Sequence, residues 1–448
     1  MKKGIVKFMT PRQFTFRRTL GALILCAALC GILSLPAAAA SSQVYAQLRL
    51  LVEALYEIDN KYVTEIKDRE LIYGAIRGMV ASLDPNSSFL SPAEYQENQH
   101  EAKAPEAEAG LALSVKDNIL TVIAPVEGGP AWRSGISADD HILKINNQST
   151  RNITAMEAAR KLQGPPGTKV SLQLIRNGLV KPLDIELTLE KHVSDTVVHF
   201  PLEDGYHYIR LRTPRDRSTF ELQNVLRSLQ ASPSPKKGII LDLRNTAGGR
   251  LEEARRLASV FVGSDLIYST RGRQSDIKQP VTGLKEYQVL KEKLPLIVLM
   301  DQGTSRVAEI MAGVLQAHWG ALLLGYNTFG DCSVTRLFPL RDGSALIVSV
   351  GHCYTPRDRL IQGKGLEPDI PGPKKDTDEQ PISGSPGTPG KEKTLPNLND
   401  VMQDPLVQQA LVKLKSWGKS TATQKPDNRI LKKKHQASSV PMEEKELS

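Results

Sequence analysis

The sequence predicts a mixed α/β protein with three folded parts, and three observations support this. Apolar residues recur at three- and four-residue spacing over much of residues 43–100, which predicts helices. Short strand-like runs separated by turn residues fill residues 110–192, which predicts a small β-rich domain. Strand and helix patterns then alternate through residues 193–370, which is typical of an α/β core.

The first 40 residues have the character of an export signal. Six Lys or Arg residues precede the apolar run LGALILCAALCGILSLP, and Ala38-Ala39-Ala40 offers a small-residue cleavage site. We therefore expect a periplasmic protein; a leader that stays uncleaved and tethers the chain to the inner membrane is the alternative. Without those six residues the formal net charge falls from +9 to +3. No nucleic-acid-binding motif is present, so we expect no nucleic-acid partner.

The predicted N-terminal helical region covers residues 41–100. The runs VYAQLRLLVEALYEIDNKYV and ELIYGAIRGMVASL each place apolar residues on one face of a helix. The segment LDPNSSFLSPAEYQE follows, with Asn86 in its middle. Residues 101–109 are a polar stretch, which predicts a linker to the next domain.

The segment GGPAWRSGISADDHILKINNQST resembles the signature of PDZ domains, so residues 110–192 are predicted to be one. In such domains a loop binds the terminal carboxylate of a peptide, and that loop falls here on Gly110, Leu111, Ala112 and Leu113. The adjoining strand edge is then expected to accept the peptide as an added strand. A PDZ fold with a filled groove, acting only as a lid or spacer, is the alternative.

The core and the C-terminal region are predicted from pattern and composition. The expected core strands are YHYIRLRT, KGIILDLRNTAGG, LPLIVLMD and ALLLGYNTFG, and the expected helices are STFELQNVLRSLQ, LEEARRLASVFV and residues 304–317. Residues 371–398 are rich in Pro, Gly and Ser, which predicts a flexible linker. Residues 399–417 predict an amphipathic helix, and the polar residues 418–448 predict a disordered tail.

The run DQGTSRVAEIMAG, the NTFGD turn and the closing YTPRDRLIQGKGLEPDI resemble the C-terminal processing peptidases, which are tail-specific serine proteases. The resemblance extends over most of the chain and implies a protease-like α/β core. In that family the helix that begins within the first of these three segments carries a nucleophilic serine, which falls here on Arg306. A TFGKG turn presents a lysine as general base, which falls on Asp331, and the polar residue that orients it falls on Thr335. All three catalytic positions therefore depart from the family pattern.

These substitutions remove the chemistry that the family uses. A serine–lysine protease needs a hydroxyl beside a neutral lysine, whereas a guanidinium stays protonated and cannot attack a carbonyl. The resemblance implies oxyanion donors at Gly248, Gly249 and Val307, which are partly kept. We predict that Arg306 and Asp331 form an ion pair in the vacated site. Two solvated side chains with no role are the alternative.

Two functions follow from these residues. The first is a non-catalytic pseudoprotease that binds C-terminal peptides of exported proteins and acts as a scaffold or regulator, with an active protease paralogue or an adaptor as further partners. The second is a periplasmic endopeptidase with a relocated nucleophile, such as Ser305 or Cys332. No cofactor and no metal site is expected. The resemblance also makes homo-oligomerisation through residues 43–75 and 404–417 an expectation.

Two cysteines follow the predicted leader, Cys332 and Cys353. They flank two strand-like runs that meet at Asp342-Gly343, a strong signal for a two-residue hairpin turn. A regular ladder that starts with Arg341 paired to Ser344 places the two thiols opposite each other. The sequence therefore predicts a disulfide in an oxidising compartment, with two unpaired thiols as the alternative.

Overall fold

The computed structural model describes residues 35–100, 107–191, 195–273, 275–290, 292–373 and 394–420. Most of the predicted leader, most of the Pro/Gly/Ser-rich linker and most of the predicted disordered tail lie outside these ranges. Across the described residues no helix is both long enough and apolar enough to cross a membrane. The chain divides into two units, Met1–Ile76 and Arg77–Ser448.

The first unit is helical, as the apolar spacing predicts. It contains helix α1 (Leu35–Lys61) and the first turns of helix α2 (Asp68–Ala81), whose last turn belongs to the second unit. Large apolar side chains on these helices are exposed, including Val44, Leu48 and Tyr56. Within residues 43–100 the structure also contains a strand that periodicity does not predict, β1 (Ser88–Leu90), followed by helix α3 (Pro92–His100).

The predicted PDZ region forms its own sheet, with strand order β3-β4-β5-β8-β9. Its elements are β2 (Ala107–Glu108), β3 (Leu111–Lys116), β4 (Ile119–Pro125), α4 (Pro130–Arg133), β5 (His141–Ile145), β6 (Gln148–Ser149), α5 (Ala155–Lys161), β7 (Gln163–Gly164), β8 (Lys169–Ile175) and β9 (Leu183–Thr188). Helix α5 begins at a capping box formed by Thr154 and Glu157. Strand β2 pairs with β7, so residues 107 and 108 of the stretch predicted as a linker belong to the PDZ domain.

The core is a six-stranded sheet in the order β10-β11-β12-β15-β16-β19. Its strands are β10 (Val197–Pro201), β11 (Tyr206–Leu211), β12 (Gly238–Asp242), β15 (Leu296–Met300), β16 (Leu322–Gly325) and β19 (Ile370–Pro371). Strand β10 is antiparallel to its neighbour and the others are parallel. The parallel strands β12 and β15 are buried along their full length, which is expected when helices cover both faces of a sheet.

Helices cover the two faces of this sheet. One face packs on helices α6 (Ser218–Ala231), α7 (Leu251–Val262) and α8 (Val307–Val314). The other packs on the C-terminal helices α9 (Leu398–Gln403) and α10 (Pro405–Ser420). Helix α7 has the bounds that its apolar spacing predicts. The helix predicted over residues 304–317 instead begins at Val307 and continues into a π-helical turn, Leu315–Trp319.

A second sheet has the order β1-β18-β13-β14, and β17 also pairs with β18. Its remaining strands are β13 (Leu266–Gly272), β14 (Ser275–Thr282), β17 (Ser333–Pro339) and β18 (Ala345–Tyr354). Strands β13 and β14 lack an alternating pattern and were not predicted; β13 gains its ladder partners from the distant strand β18. The mixed α/β fold class with N-terminal helices is confirmed.

Candidate functional site

The first position of the candidate site, Arg306, lies at the boundary where helix α8 begins. Its backbone has φ 49° and ψ −99°, a conformation that a residue with a side chain rarely adopts. Residues held this way cost about 1–3 kcal/mol of strain and cluster at functional sites. Its N–H donates to Glu309 Oε2 at 2.9 Å, which helps to hold this turn. Arg306 therefore has the kind of strained backbone that is found at functional sites, although its side chain is an arginine.

The side chains of Arg306 and Asp331 form the ion pair that the sequence predicts. Arg306 Nη2 lies 3.1 Å from Asp331 Oδ2 and 3.3 Å from Asp331 Oδ1. The two side chains are 21% and 11% exposed, so the pair is largely withdrawn from water. The residue that precedes helix α8 supplies the cation, and the loop before β17 supplies the anion. The pair thus joins two segments that are 25 residues apart in the chain.

Asn86 completes the cluster and was not predicted as a site residue. Its Nδ2 donates to Asp331 Oδ1 at 3.0 Å, and its Oδ1 accepts from Arg306 Nη2 at 3.4 Å. An amide suits this place because it can donate to the anion and accept from the cation at once. The only signal in the sequence is the position of Asn86 in the LDPNSSF segment; the contact spans 245 residues.

Glu309 is fully buried under the ion pair and organises both of its ends. Its carboxylate accepts from the N–H groups of Arg306, Gly330 and Asp331 and from Thr328 Oγ1. Burial raises the pKa of Glu309 to about 7, although these four hydrogen bonds favour the ionised form. This one side chain therefore fixes the start of helix α8 and the turn that carries Asp331.

The raised pKa of Glu309 predicts a pH-dependent stability. The folded protein holds the proton up to about pH 7, whereas the unfolded chain releases it near 4.5. The contribution of protonated Glu309 is therefore complete below pH 4.5 and is lost as the pH rises through 7. We expect this loss to reach at most about 3 kcal/mol.

Urea unfolding of the wild type and of Glu309→Gln over this pH range measures the effect. The free-energy difference between the two proteins should shift against the wild type as the pH rises, since only the carboxylate can ionise. Taking the difference removes titrations that both proteins share, such as those of His199 and His207, whose pKa values burial lowers. A difference that stays constant with pH would contradict the raised pKa.

Two of the three expected oxyanion donors, Gly248 and Val307, already donate to acceptors inside the protein. Gly248 N–H donates to Ser305 Oγ at 3.3 Å, and Val307 N–H donates to Gly248 O at 3.4 Å. At Gly249, which has φ +79°, a Cβ atom would lie 2.7 Å from Val307 Cγ2, so the turn packs directly against helix α8. The expectation of an oxyanion hole that is partly kept therefore needs correction for Gly248 and Val307, because both N–H groups already have acceptors.

The other nucleophile candidates are also engaged. Ser305 is fully buried, and its hydroxyl accepts from Gly248. The hydroxyl of Thr304 is buried and donates to Leu243 O at 2.8 Å. Cys332 is bonded to Cys353. Among the described residues, none of these side chains is hydrogen-bonded to a lysine that could act as a base.

Thr335, at the third catalytic position of the family pattern, is separate from the ion pair. It is exposed on strand β17 and pairs with Ser349 across the ladder. Its hydroxyl makes no hydrogen bond among the described residues. The structure therefore brings Arg306 and Asp331 together, adds Asn86, and leaves Thr335 outside the cluster.

The expected disulfide between Cys332 and Cys353 is present, with Cα atoms 5.5 Å apart, but the hairpin that carries it differs from the prediction. Leu340 N–H donates a hydrogen bond to Ser344 O at 2.7 Å, so the turn between the two strands has three residues. The ladder therefore starts one position away from the expected register. A bulge opposite Val334 and Thr335 then restores the register before the cysteines. Two departures from the regular ladder thus cancel.

We expect this disulfide to stabilise the site, because Cys332 directly follows Asp331. It closes a loop with a sequence separation of 21 residues, for which the loss of chain entropy in the unfolded state corresponds to about 3 kcal/mol. Replacing both cysteines with serine should lower the free energy of unfolding by this amount. Alkylation of the unreduced, unfolded protein without its leader should find no free thiol; two labelled cysteines would contradict the pairing.

The predicted peptide loop lies at the exposed edge of the PDZ sheet. Gly110 has φ +73°, which favours glycine, and its carbonyl accepts from Val126 N–H at 2.8 Å. Leu111, Ala112 and Leu113 begin strand β3, which is the last strand on its side of the sheet. Helix α5 packs beside this strand. An edge strand next to a helix is the arrangement to which peptides add as an extra strand.

Ion pairs join the PDZ domain to the core. Glu127, which is buried, accepts from Arg210 and Arg212 of the core at 3.0 Å each. A further ion pair joins the PDZ domain to helix α3, where Arg160 Nη1 lies 3.3 Å from Glu94 Oε1. Removing one partner of such a buried cluster leaves a charge uncompensated. The domain is thus held against the core by groups whose separation is costly.

Three family models match this chain. Residues 205–371 match Peptidase family S41, residues 121–176 match the PDZ domain, and residues 34–93 match the N-terminal domain of the activating protease CtpB. The matches follow the same order as the predicted helical region, PDZ domain and α/β core.

Among the described residues, no group of three or more His, Cys, Asp or Glu side chains is arranged to hold a metal ion.

Curated proteins and a solved structure are similar over most of the chain. The carboxy-terminal-processing protease of Bartonella bacilliformis is 33% identical, with 73% of this chain and 75% of that protein covered. The carboxy-terminal processing protease CtpA of Bacillus subtilis is 29% identical, with coverage of 75% and 73%. The structure of the photosystem II D1 C-terminal processing protease matches with a TM-score of 0.60 and 24% identity, covering 72% of this chain and 92% of that one; it supports the fold.

Proposed function

Because this chain belongs to the carboxy-terminal processing proteases of peptidase family S41, we propose that it is a member without proteolytic activity that binds protein C termini. It acts as a scaffold or regulator through its PDZ domain. The observation that carries the proposal is the ion pair of Arg306 and Asp331 at the two positions where the family pattern has its nucleophile and base.

The chemistry of this pair supports the loss of activity. A guanidinium keeps its proton at any physiological pH, so Arg306 has no lone pair with which to attack a carbonyl carbon. The carboxylate of Asp331 accepts from Arg306 and Asn86 and has no hydroxyl to activate. Each charge of the pair also compensates for the water that the other loses on burial. Burying the ion pair therefore costs less free energy than burying either charge alone.

A relocated nucleophile finds no support in the geometry. The hydroxyl of Ser305 is buried and serves as an acceptor for Gly248, and the thiol of Cys332 is consumed in a disulfide. Removing the acid–base pair from a serine protease also removes most of the rate, even where the fold is kept. For this reason we put forward no second function.

Peptide binding is proposed from the PDZ domain. The edge of strand β3 and the loop at Gly110 can accept a strand and a carboxylate, and no strand of the described residues covers that edge. We expect tails of exported proteins that end in apolar residues to bind here. With an exported location, the partners would be periplasmic proteins, an active protease paralogue or an adaptor among them.

Titration of short fluorescent peptides into the protein without its leader tests this function. Peptides with an apolar C-terminal residue should bind, and amidation of the terminus should weaken binding by about 10-fold or more, since hydrogen bonds to a charged group are lost. Gly110→Val should have a similar effect because it disturbs the carboxylate loop.

Gly167→Val is the matched control for Gly110→Val. Gly167 also lies in the PDZ domain with a positive φ of 85°, and a Cβ atom there would meet nothing within 4 Å. It lies at the β7–β8 turn, away from the carboxylate loop. If Gly110→Val binds as well as Gly167→Val, or if amidated peptides bind as well as free acids, the PDZ domain does not capture C termini.

A further inference from the structure

A cavity of about 230 Å³ lies between the PDZ domain and the segment that follows helix α2. The PDZ domain contributes the end of strand β3 and the turn after it, with Val115, Asp117 and Asn118. It also contributes the residues that lead into helix α5, ending at Thr154. The opposite wall is the end of helix α2 and the turn after it, residues 81–85 and 87, which include Asp84. All of these residues belong to the second unit of the chain.

This cavity lies at the far end of the proposed peptide groove. Ala109 N–H donates to Leu162 O, so the start of strand β3 lies beside the end of helix α5. The opposite end of the groove is therefore formed by the end of β3 and the start of α5, which are the elements that line the cavity. A peptide whose carboxylate lies at Gly110 and which pairs antiparallel with β3 would run towards this cavity.

The length of strand β3 sets which peptide residue arrives there. The strand has six residues and spans roughly 20 Å at about 3.3 Å per residue. A paired peptide has the same rise, so the residue about six positions before the C terminus reaches the cavity mouth. The cavity volume is sufficient for one long side chain.

The charged side chains that line the cavity are acidic. Asp84 and Asp117 line it, and no Lys or Arg is among the lining residues. The Asp84 carboxylate is half-buried and accepts only from neutral groups, namely Asn86 N–H and the hydroxyls of Ser87 and Ser349. Asp117 is exposed in the β3–β4 turn with φ 52°. Neither carboxylate takes part in an ion pair among the described residues, so a cation is the group that this site lacks.

We propose that this cavity is a specificity subsite for a basic side chain located about six residues before the C terminus of the bound tail. The proposal rests on the proposed capture of C termini by the PDZ domain. The subsite narrows the expected ligand to the tail of an exported protein that has an apolar C-terminal residue and a Lys or Arg upstream of it.

Peptides that differ at a single position test the subsite on the full protein without its leader. A series carries Lys, Ala or Glu in turn at each of the positions around the expected one, with the same apolar C terminus. We expect Lys at one of these positions to tighten binding roughly fivefold relative to Ala, and Glu to weaken it, as for a partly exposed ion pair. The gain should shrink as salt is added, because the charges are close to solvent.

Asp117→Asn should reduce the preference for Lys over Ala, because it removes one of the two carboxylates that line the cavity. Asn tolerates the positive φ at this turn, so the fold should be kept. Asp139→Asn is the matched control: Asp139 is also exposed with a positive φ, 66°, in another turn of the PDZ domain, and it does not line the cavity. This control should keep the full preference for Lys.

The outcomes separate the two proposals. If the Ala peptide binds through its free carboxylate but Lys gives no gain at any position, the subsite is refuted and the peptide-binding function stands. A preference for Lys that is as large in Asp117→Asn as in the wild type also refutes the subsite. If no peptide of the series binds, both proposals fail together.

Discussion

Replacing Asp331 with alanine should lower the free energy of unfolding by about 2–4 kcal/mol, because it leaves a largely buried guanidinium without its counter-ion. Arg306 Nη2 lies 3.1 Å from Asp331 Oδ2, and the two side chains are 21% and 11% exposed. Water can therefore solvate the remaining guanidinium only poorly. Asn86 would keep its contact with Arg306 and soften the loss. Urea unfolding at neutral pH measures the change.

A double-mutant cycle isolates the interaction. Arg306→Ala alone strands the carboxylate of Asp331, whereas the double variant removes both charges and should recover part of the loss. The exposed pair of Lys169 and Glu186, at 68% and 61% exposure, is the matched control, and Glu186→Ala should destabilise the protein much less than Asp331→Ala. Additive effects of the two substitutions at the site would contradict an energetically coupled pair.

Restoring the family dyad should create proteolytic activity in a chain that lacks it. Arg306→Ser with Asp331→Lys places a hydroxyl in the strained turn and an amine in the facing loop, where the present side chains already meet. We expect slow cleavage of unfolded substrates, because Gly248 N–H still donates to Ser305 and is withheld from an oxyanion.

Adding Ser305→Ala to the restored dyad should raise the rate. It removes the internal acceptor of Gly248 N–H, and one oxyanion donor is worth about 100-fold in rate. Arg306→Ser with Asp331→Ala is the control, since it has the hydroxyl and no base and should stay silent. Equal activity with and without the lysine would mean that the restored pair does not act as nucleophile and base.

Local patterns predicted much of this fold. The apolar spacing of helix α7 and the buried runs of strands β12 and β15 fix those elements within a few residues, because their own sequences carry the signal. Strands β13 and β14 could not be found this way, since they carry little alternation and are stabilised by pairing with each other and, for β13, with the distant strand β18. Tertiary context decides such strands.

The sequence predicts those residues of the candidate site that lie within recognisable motifs. The positions of Arg306 and Asp331 follow from neighbouring landmarks in the sequence, and opposite charges at two facing positions predict their pairing. The contact of Asn86 with both could not be derived from spacing, because it depends on how two remote segments meet. The engagement of Gly248 by Ser305 depends on side-chain direction at a turn with positive φ, which the sequence does not specify.

We expect no proteolysis by the natural chain, and this can be measured directly. The wild type without its leader is incubated with unfolded, C-terminally tagged substrates, and the products are identified by mass spectrometry beside the restored-dyad variant. Intact substrate with the wild type and cleaved substrate with the variant is the predicted result. Cleavage by the wild type that is lost in Ser305→Ala would show that the nucleophile has moved and would contradict the account.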